Sequence, residues 1–157
     1  MKIIRSHAAL VATILAATPV AADPPALTLT GAVRDAPIGL SRSELKSMPQ
    51  HELTTSTSVT DGTPSFKGFL MRDLLARYGA EGTRVHAVAL NDYRIEIPIS
   101  DFEEFDVIGA LYQDGEPLSP RDKGPVWIVY PRDDHRELQD IRFDTRWVWQ
   151  LETLHVE

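Results

Sequence analysis

Five consecutive residues, Val126-Trp127-Ile128-Val129-Tyr130, limit what this chain can fold into more than any other stretch. Each is β-branched or aromatic. Pro131 ends the run, and Lys123-Gly124-Pro125 turns the chain into it. That composition is a buried strand, so the domain must be built in layers around it. The two ends of the strand are charged in both signs, with Arg121, Asp122 and Lys123 before it and Arg132, Asp133 and Asp134 after. Charges and aromatics gathered at strand ends are where a small polar ligand can be held. Charges in the same places also serve simply to solvate two turns.

Periodicity supplies the other layers. Leu27-Thr28-Leu29-Thr30-Gly31 alternates as a strand. Ser41 followed by Glu44 is a capping box, which predicts a short helix ending by Pro49. Residues 51–60, rich in Thr and Val, predict a strand turned by Asp61-Gly62-Thr63-Pro64. Leu70, Leu74, Leu75 and Tyr78 recur at helical spacing, with Gly79 as the stop. Residues 85–90 form the next expected strand. After a turn at Asn91-Asp92 comes another, with Tyr93, Ile95, Ile97 and Ile99 facing inward. Residues 100–105 read as a helical turn with a solvated acidic face, 107–112 as a strand and 136–143 as either a short helix or a loop. The last strand is expected over 146–156, with Trp147, Trp149 and Leu151 on one face. Many strands and few short helices make one α+β domain.

The first twenty-two residues stand apart. Lys2 and Arg5 precede an apolar run over residues 8–17, and Val20-Ala21-Ala22 offers small residues for cleavage. This predicts a secretory signal peptide over 1–22, cut before Asp23, with a single domain over 23–157. The apolar run is short for a membrane span, so no direct membrane insertion is expected after cleavage. The mature segment keeps 14 basic against 23 acidic residues, a net charge of −9. An acidic domain without a basic stripe is a poor nucleic-acid binder. The chain has no cysteine, which removes disulfides, thiolate metal ligands and thiol nucleophiles. The histidines His7, His51, His86, His135 and His155 show no ligand spacing, and neither a Gly-x-Ser-x-Gly nucleophile motif nor a phosphate loop occurs. The adjacent acids Glu103-Glu104 and Asp133-Asp134 have the pattern of solvated turns. No catalytic residue and no metal ligand is nominated.

A succession of motifs then points to a family. Phe66-x-Gly68-Phe69-Leu70-x-x-Asp73-Leu74-Leu75 is followed by Ala89-Leu90-Asn91-Asp92-Tyr93-x-Ile95-x-Ile97-Pro98. Then come Asp114-Gly115-x-Pro117-Leu118, Lys123-Gly124-Pro125-x-Trp127, Tyr130-Pro131 and Trp147-x-Trp149-Gln150-Leu151. In this order they resemble the molybdopterin-binding domain of the sulfite oxidase family, and more closely its short exported members. The resemblance implies a mixed-sheet molybdopterin-binding fold. It also implies a molybdenum held by a cysteine shortly before the Gly68 to Leu75 motif. The corresponding residues here, 54–60, carry only hydroxyls, with Ser58 at the nearest equivalent position. A hydroxyl is a harder, weaker ligand than a thiolate. The cysteine-less exported members resemble periplasmic pterin-binding sensors. The resemblance thus implies a pterin bound as a signal, without metal, and a partner that is the periplasmic domain of a membrane-anchored cyclic-di-GMP synthase/phosphodiesterase.

A pterin needs an aromatic to stack on, a carboxylate for its amino and N3–H donors, and a cation or N–H for its carbonyl. The expected ligand-binding residues are Phe66, Asn91, Asp92, Tyr93, Arg94, Lys123, Trp127, Tyr130, Arg132 and Trp149, with Asp92 as the favoured carboxylate. Each has a plainer role open to it. Trp127 sits in a core strand, and one of Trp147 and Trp149 is expected in the core as well. Asn91-Asp92 is also a turn dipeptide, Arg94 lies on a solvated strand face, and Lys123 and Arg132 have Asp122 and Asp133 beside them. The rival classes are a molybdopterin-dependent oxidoreductase, or a subunit of one, and a structural or chaperone-like remnant with an empty pocket.

Overall fold

A computed structural model describes residues 23–157; the expected signal segment, 1–22, lies outside the described residues. In chain order the elements begin with β1 (Leu27–Gly31), β2 (Ile38–Leu40), α1 (Arg42–Ser47), β3 (Gln50–Thr54), β4 (Ser65–Leu70) and α2 (Met71–Arg77). There follow β5 (Arg84–Ala89), β6 (Arg94–Pro98), α3 (Ile99–Glu104), β7 (Ile108–Gln113) and β8 (Glu116–Pro117). β9 (Trp127–Val129), a 3-10 turn (Arg136–Gln139), α4 (Ile141–Asp144) and β10 (Leu151–Val156) complete the domain. One sheet has the order β2-β1-β10-β5-β6, and the other the order β3-β4-β7-β8 with β9 also pairing β7. β1 and β10 run parallel, whereas β7 pairs antiparallel with β4, β8 and β9. The architecture is α+β with mixed sheets and few short helices.

Local chemistry accounts for most of these boundaries. At α1 the capping box is complete: the Ser41 N–H donates to Glu44 Oε2 at 2.7 Å and the Glu44 N–H to Ser41 Oγ at 3.3 Å. α2 buries Met71, Leu74 and Leu75, and the chain leaves it through Gly79 at φ +59°. Gly68 pairs with Ala110 and Gly109 with Phe69 across β4 and β7. A Cβ on Gly68 would stand 2.0 Å from the Gly109 carbonyl oxygen, and one on Gly109 would meet the Phe69 ring at 2.4 Å. Gly68 therefore lets β4 close on the β7 backbone, and Gly109 leaves room for the Phe69 ring.

Residues 126–130 have no exposed side chain beyond trace, as expected of the organising strand. Phe66 stands edge-on to Trp127, ring centroids 5.1 Å apart, a favoured aromatic arrangement. Both sheets contribute to one core, in which β9 is central.

Four expectations are corrected. The strand expected over 51–60 stops at Thr54, because hydroxyls there bond locally instead of to a neighbour strand: Thr57 Oγ1 lies 2.7 Å from Thr60 Oγ1 and accepts the Val59 N–H at 3.1 Å. The last strand starts at Leu151 rather than 146, since Gln150 adopts φ +52° and breaks the alternation. Trp147 is consequently buried while Trp149 is 36% exposed. Tyr93, expected inward, is exposed, because it belongs to the turn before β6. Asp101, read as part of a solvated face, is buried. It accepts a hydrogen bond from the Tyr130 hydroxyl at 2.8 Å and is bonded through the same carboxylate oxygen to Arg146 Nη1.

Candidate functional site

Where the turn between β5 and β6 meets the irregular segment after α4, the surface closes around a cavity of about 220 Å³. Asn91, Tyr93, Asp144, Thr145, Trp147 and Trp149 line it. The turn is shaped by its own side chains. Asp92 takes φ +64° and donates its N–H to Ala89 O at 3.0 Å, and Asn91 Oδ1 accepts the Tyr93 N–H at 3.1 Å. Asn and Asp tolerate this geometry better than other side chains. The Leu90 N–H donates to Gln150 O at 2.9 Å, fixing the turn to the segment opposite. The Tyr93 hydroxyl donates to Thr145 O at 2.8 Å. Tyr93 and Trp149, two of the large apolar side chains that the surface leaves exposed, line the cavity, so the mouth has an aromatic rim.

The wall behind this rim is aromatic and charged. Trp147 packs against Trp127 and Tyr130 at 6.3 and 6.2 Å between ring centroids. Arg146 lies over the Phe143 ring at 4.7 Å while its guanidinium reaches Asp101. Burial and the nearby Asp101 carboxylate push the Tyr130 hydroxyl well above its ordinary pKa, so it stays a donor.

Two residues of the cavity carry buried polar atoms without a hydrogen-bond partner, Asp144 Oδ1 and Trp147 Nε1. Behind them Arg132 Nε and Trp127 Nε1 are in the same state. Arg132 Nε stands 3.8 Å from Asp144 Oδ1, too far for a hydrogen bond. Buried polar atoms are almost always paired, and each exception calls for an explanation. Of these, one N–H donor, Trp147 Nε1, and one carboxylate acceptor, Asp144 Oδ1, belong to residues that line the cavity, whose rim is aromatic. That set is complementary to a flat heterocycle with its own donors and carbonyl.

The loop before β4 is tied to the same region. The Asp133 carboxylate accepts from the Ser56 N–H at 2.6 Å and the Ser56 hydroxyl at 2.5 Å. The Asp133 N–H donates to Thr55 Oγ1 at 3.1 Å, and Arg132 Nη1 to Ser56 Oγ at 3.4 Å. The two Ser56 bonds hold the Asp133 carboxyl below the usual carboxylate range. The hydroxyls of residues 55–57 are thus engaged with the protein, Ser58 is exposed, and no thiolate stands anywhere in the chain. Among the described residues no group of three or more His, Asp or Glu side chains could hold a metal ion.

The nominated residues divide into four groups. Asn91, Tyr93 and Trp149 line the cavity. Arg132 and Lys123 stand near its wall: Lys123 Nζ pairs with Asp122 Oδ1 at 3.0 Å and lies over the Trp127 ring at 5.7 Å. Phe66, Trp127 and Tyr130 have no exposed surface and back the site from the core. Asp92 and Arg94 are exposed and outside the lining. The carboxylate on the cavity is Asp144, which pattern reading passed over because it follows a stretch ambiguous between helix and loop. A larger trough of about 440 Å³ crosses β3, β4 and β7 beside Lys46, Glu52, Lys67 and Tyr112. Of the nominated residues it touches only Phe66.

Residues 16–133 match the family described as the oxidoreductase molybdopterin binding domain. No curated protein matches the chain. Among solved structures, the sulfane dehydrogenase SoxCD from Paracoccus pantotrophus is similar, with a TM-score of 0.66 at 18% identity. The superposition covers 84% of this chain and 38% of that one, so the chain spans about two fifths of its neighbour's length. At this identity the likeness speaks for the fold. The family match ends before Asp144, Trp147 and Trp149, the residues that close the cavity.

Proposed function

The chain belongs to the oxidoreductase molybdopterin-binding domain family, with a sulfite-oxidase-type fold, and from that premise we propose that its cavity holds a pterin ring without a protein-held molybdenum. The observation that carries the proposal is the pair of buried atoms without a hydrogen-bond partner, Asp144 Oδ1, which has only the Arg132 cation 3.8 Å away, and Trp147 Nε1, in a cavity rimmed by Tyr93 and Trp149. The residues fit the pterin part of the family's cofactor: Trp149 or Tyr93 stacks on the ring, Asp144 accepts from its amino and N3–H donors, and the Trp147 indole donates to its carbonyl. They do not fit the metal part, because the hydroxyls of residues 54–60 replace the thiolate and several are already bonded to Asp133 or to each other.

In this reading the protein is a periplasmic sensor. The amino-terminal residues carry the composition of an export signal. Among the described residues, no helix is long and apolar enough to cross a membrane. In this reading a bound pterin acts through a second protein, for which the resemblance suggests the periplasmic domain of a membrane-anchored cyclic-di-GMP synthase/phosphodiesterase. Such control requires loaded and empty forms to differ in their free energy of contact with that partner. The charged segments 114–123 and 132–144, which flank β9, are the proposed contact surfaces, so Arg136→Glu should impair partner binding more than pterin binding.

The pocket is tested by titrating the purified protein with a pterin and following tryptophan fluorescence. Wild type should bind in the micromolar range or tighter. Asp144→Ala should weaken binding roughly ten- to a hundredfold, the loss of a charge-assisted hydrogen bond. Equal affinity in wild type and Asp144→Ala, with the fold intact, would remove the pocket assignment. The second reading, a molybdopterin-dependent oxidoreductase or a subunit of one, is favoured by the likeness to SoxCD, whose title names a dehydrogenase. In that reading the chain supplies the pterin-holding domain and other residues or chains hold the metal.

A further inference from the structure

Arg94 lies outside the cavity, but its strand has a free side. β6 ends one of the two sheets and pairs only with β5. The bonds that close this ladder fix the direction of its backbone groups. The Ala89 N–H donates to Tyr93 O at 2.9 Å and the Ile99 N–H to Thr83 O at 3.0 Å. The odd-numbered residues of β6 therefore face β5, and the N–H and C=O groups of Arg94 and Glu96 point away from it. Both residues are exposed. Among the described residues Arg94 has no ion-pair partner, and Glu96 has only Arg84, at 3.5 Å and half-exposed. Between them Ile95 is only partly covered by the core. An open strand edge of this kind is a template for another strand.

We propose that β6 pairs antiparallel with β6 of a second copy of this chain, about a twofold axis at Ile95, in a weak dimer that joins the two five-stranded sheets. In that register Arg94 of each copy stands opposite Glu96 of the other. These are the residues whose outward N–H and C=O groups can exchange hydrogen bonds, so backbone and charge select the same alignment. The two Ile95 side chains meet at the intervening position, where cross-strand neighbours come closest, and each covers the other. Moving the axis to Glu96 sets two carboxylates face to face and puts Arg94 opposite Pro98, which has no N–H to give. The other strands that end a sheet lack this self-complementarity. β2 and β8 are three and two residues long, and β3 turns Gln50, Glu52 and Thr54 outward, with one charge among them. Pro98 and the Asn91-Asp92 turn bound the β6 edge, and one partner uses it up, so the assembly closes at two chains.

The test is sedimentation velocity over a concentration series, combined with a charge exchange between the two positions. Wild type should run as a monomer at about 1 µM and shift toward dimer by about 500 µM, as expected of a small interface. Arg94→Glu sets Glu against Glu in both pairs, and Glu96→Arg sets Arg against Arg. Each alone should weaken self-association at least about tenfold. An equimolar mixture of the two variants restores opposite charges in both pairs and should form a heterodimer. The Arg94→Glu/Glu96→Arg double variant should dimerise as wild type does. Misfolding cannot produce either recovery. Wild type monomeric throughout, a single variant that associates like wild type, or no recovery in both the mixture and the double variant would overturn the interface. The outcome is independent of what the cavity binds.

Discussion

Asp101→Ala is the most informative single change in the interior. The Asp101 carboxylate, 7% exposed, satisfies both the Tyr130 hydroxyl and the Arg146 guanidinium through Oδ2. Removing it strands a buried hydroxyl and a cation whose side chain is 22% exposed. Breaking a buried ion pair from one side costs about 3–5 kcal/mol, and an unpaired hydroxyl about 1–3 kcal/mol. Arg146 retains some solvent and can turn toward it, so the low end applies, about 3 kcal/mol in total. For a domain of this size that lowers the thermal midpoint by roughly 10 °C. Asp101→Asn keeps an acceptor for Tyr130 and should cost about half as much. The assay is urea denaturation, in which the midpoint should fall at unchanged slope. The same variant should bind pterin more weakly, because Arg146 leads directly into Thr145, Trp147 and Trp149 at the cavity. An Asp101→Ala protein within about 0.5 kcal/mol of wild type would show that this carboxylate does not clamp the segment, and the reasoning would fail.

Two further outcomes follow from the packing and from one titration. Gly109→Ala should destabilise by about 1–3 kcal/mol in the same assay, since its Cβ would overlap the Phe69 ring; a neutral result would mean the ring has room to move. Because the folded Tyr130 pKa is raised above its ordinary value of 10.0, its contribution is fully present below pH 10 and is lost as pH rises from there through the folded pKa. Wild type should therefore lose stability above about pH 10 more steeply than Tyr130→Phe, and parallel curves would contradict the buried hydroxyl.

The strands and turns that obey local rules were legible in the sequence. The Val126 to Tyr130 run, the Ser41–Glu44 box, the Asn91-Asp92 turn and the Gly79 stop follow from propensity and capping, and the fold keeps each. Asp101 was misread because its neighbours Glu103 and Glu104 are acidic and exposed. The spacing held the better signal: Asp101 is four residues before Phe105, so on a helix it shares the buried side of that ring. Trp149 and Gln150 defied alternation because one left-handed residue turns the chain, and no residue type there announces it. The place of Asp144 on the cavity depends on contacts between distant segments, which periodicity cannot supply.

The central claim, a pterin held without molybdenum, is met most directly by analysing one sample twice. Protein isolated from its native host should be assayed for molybdenum by elemental analysis and for released small molecules by mass spectrometry. The expected result is a pterin at a substantial fraction of the protein concentration, with molybdenum far below one atom per chain. Near-stoichiometric molybdenum that stays with the chain through purification would contradict the account and establish the oxidoreductase reading in its place.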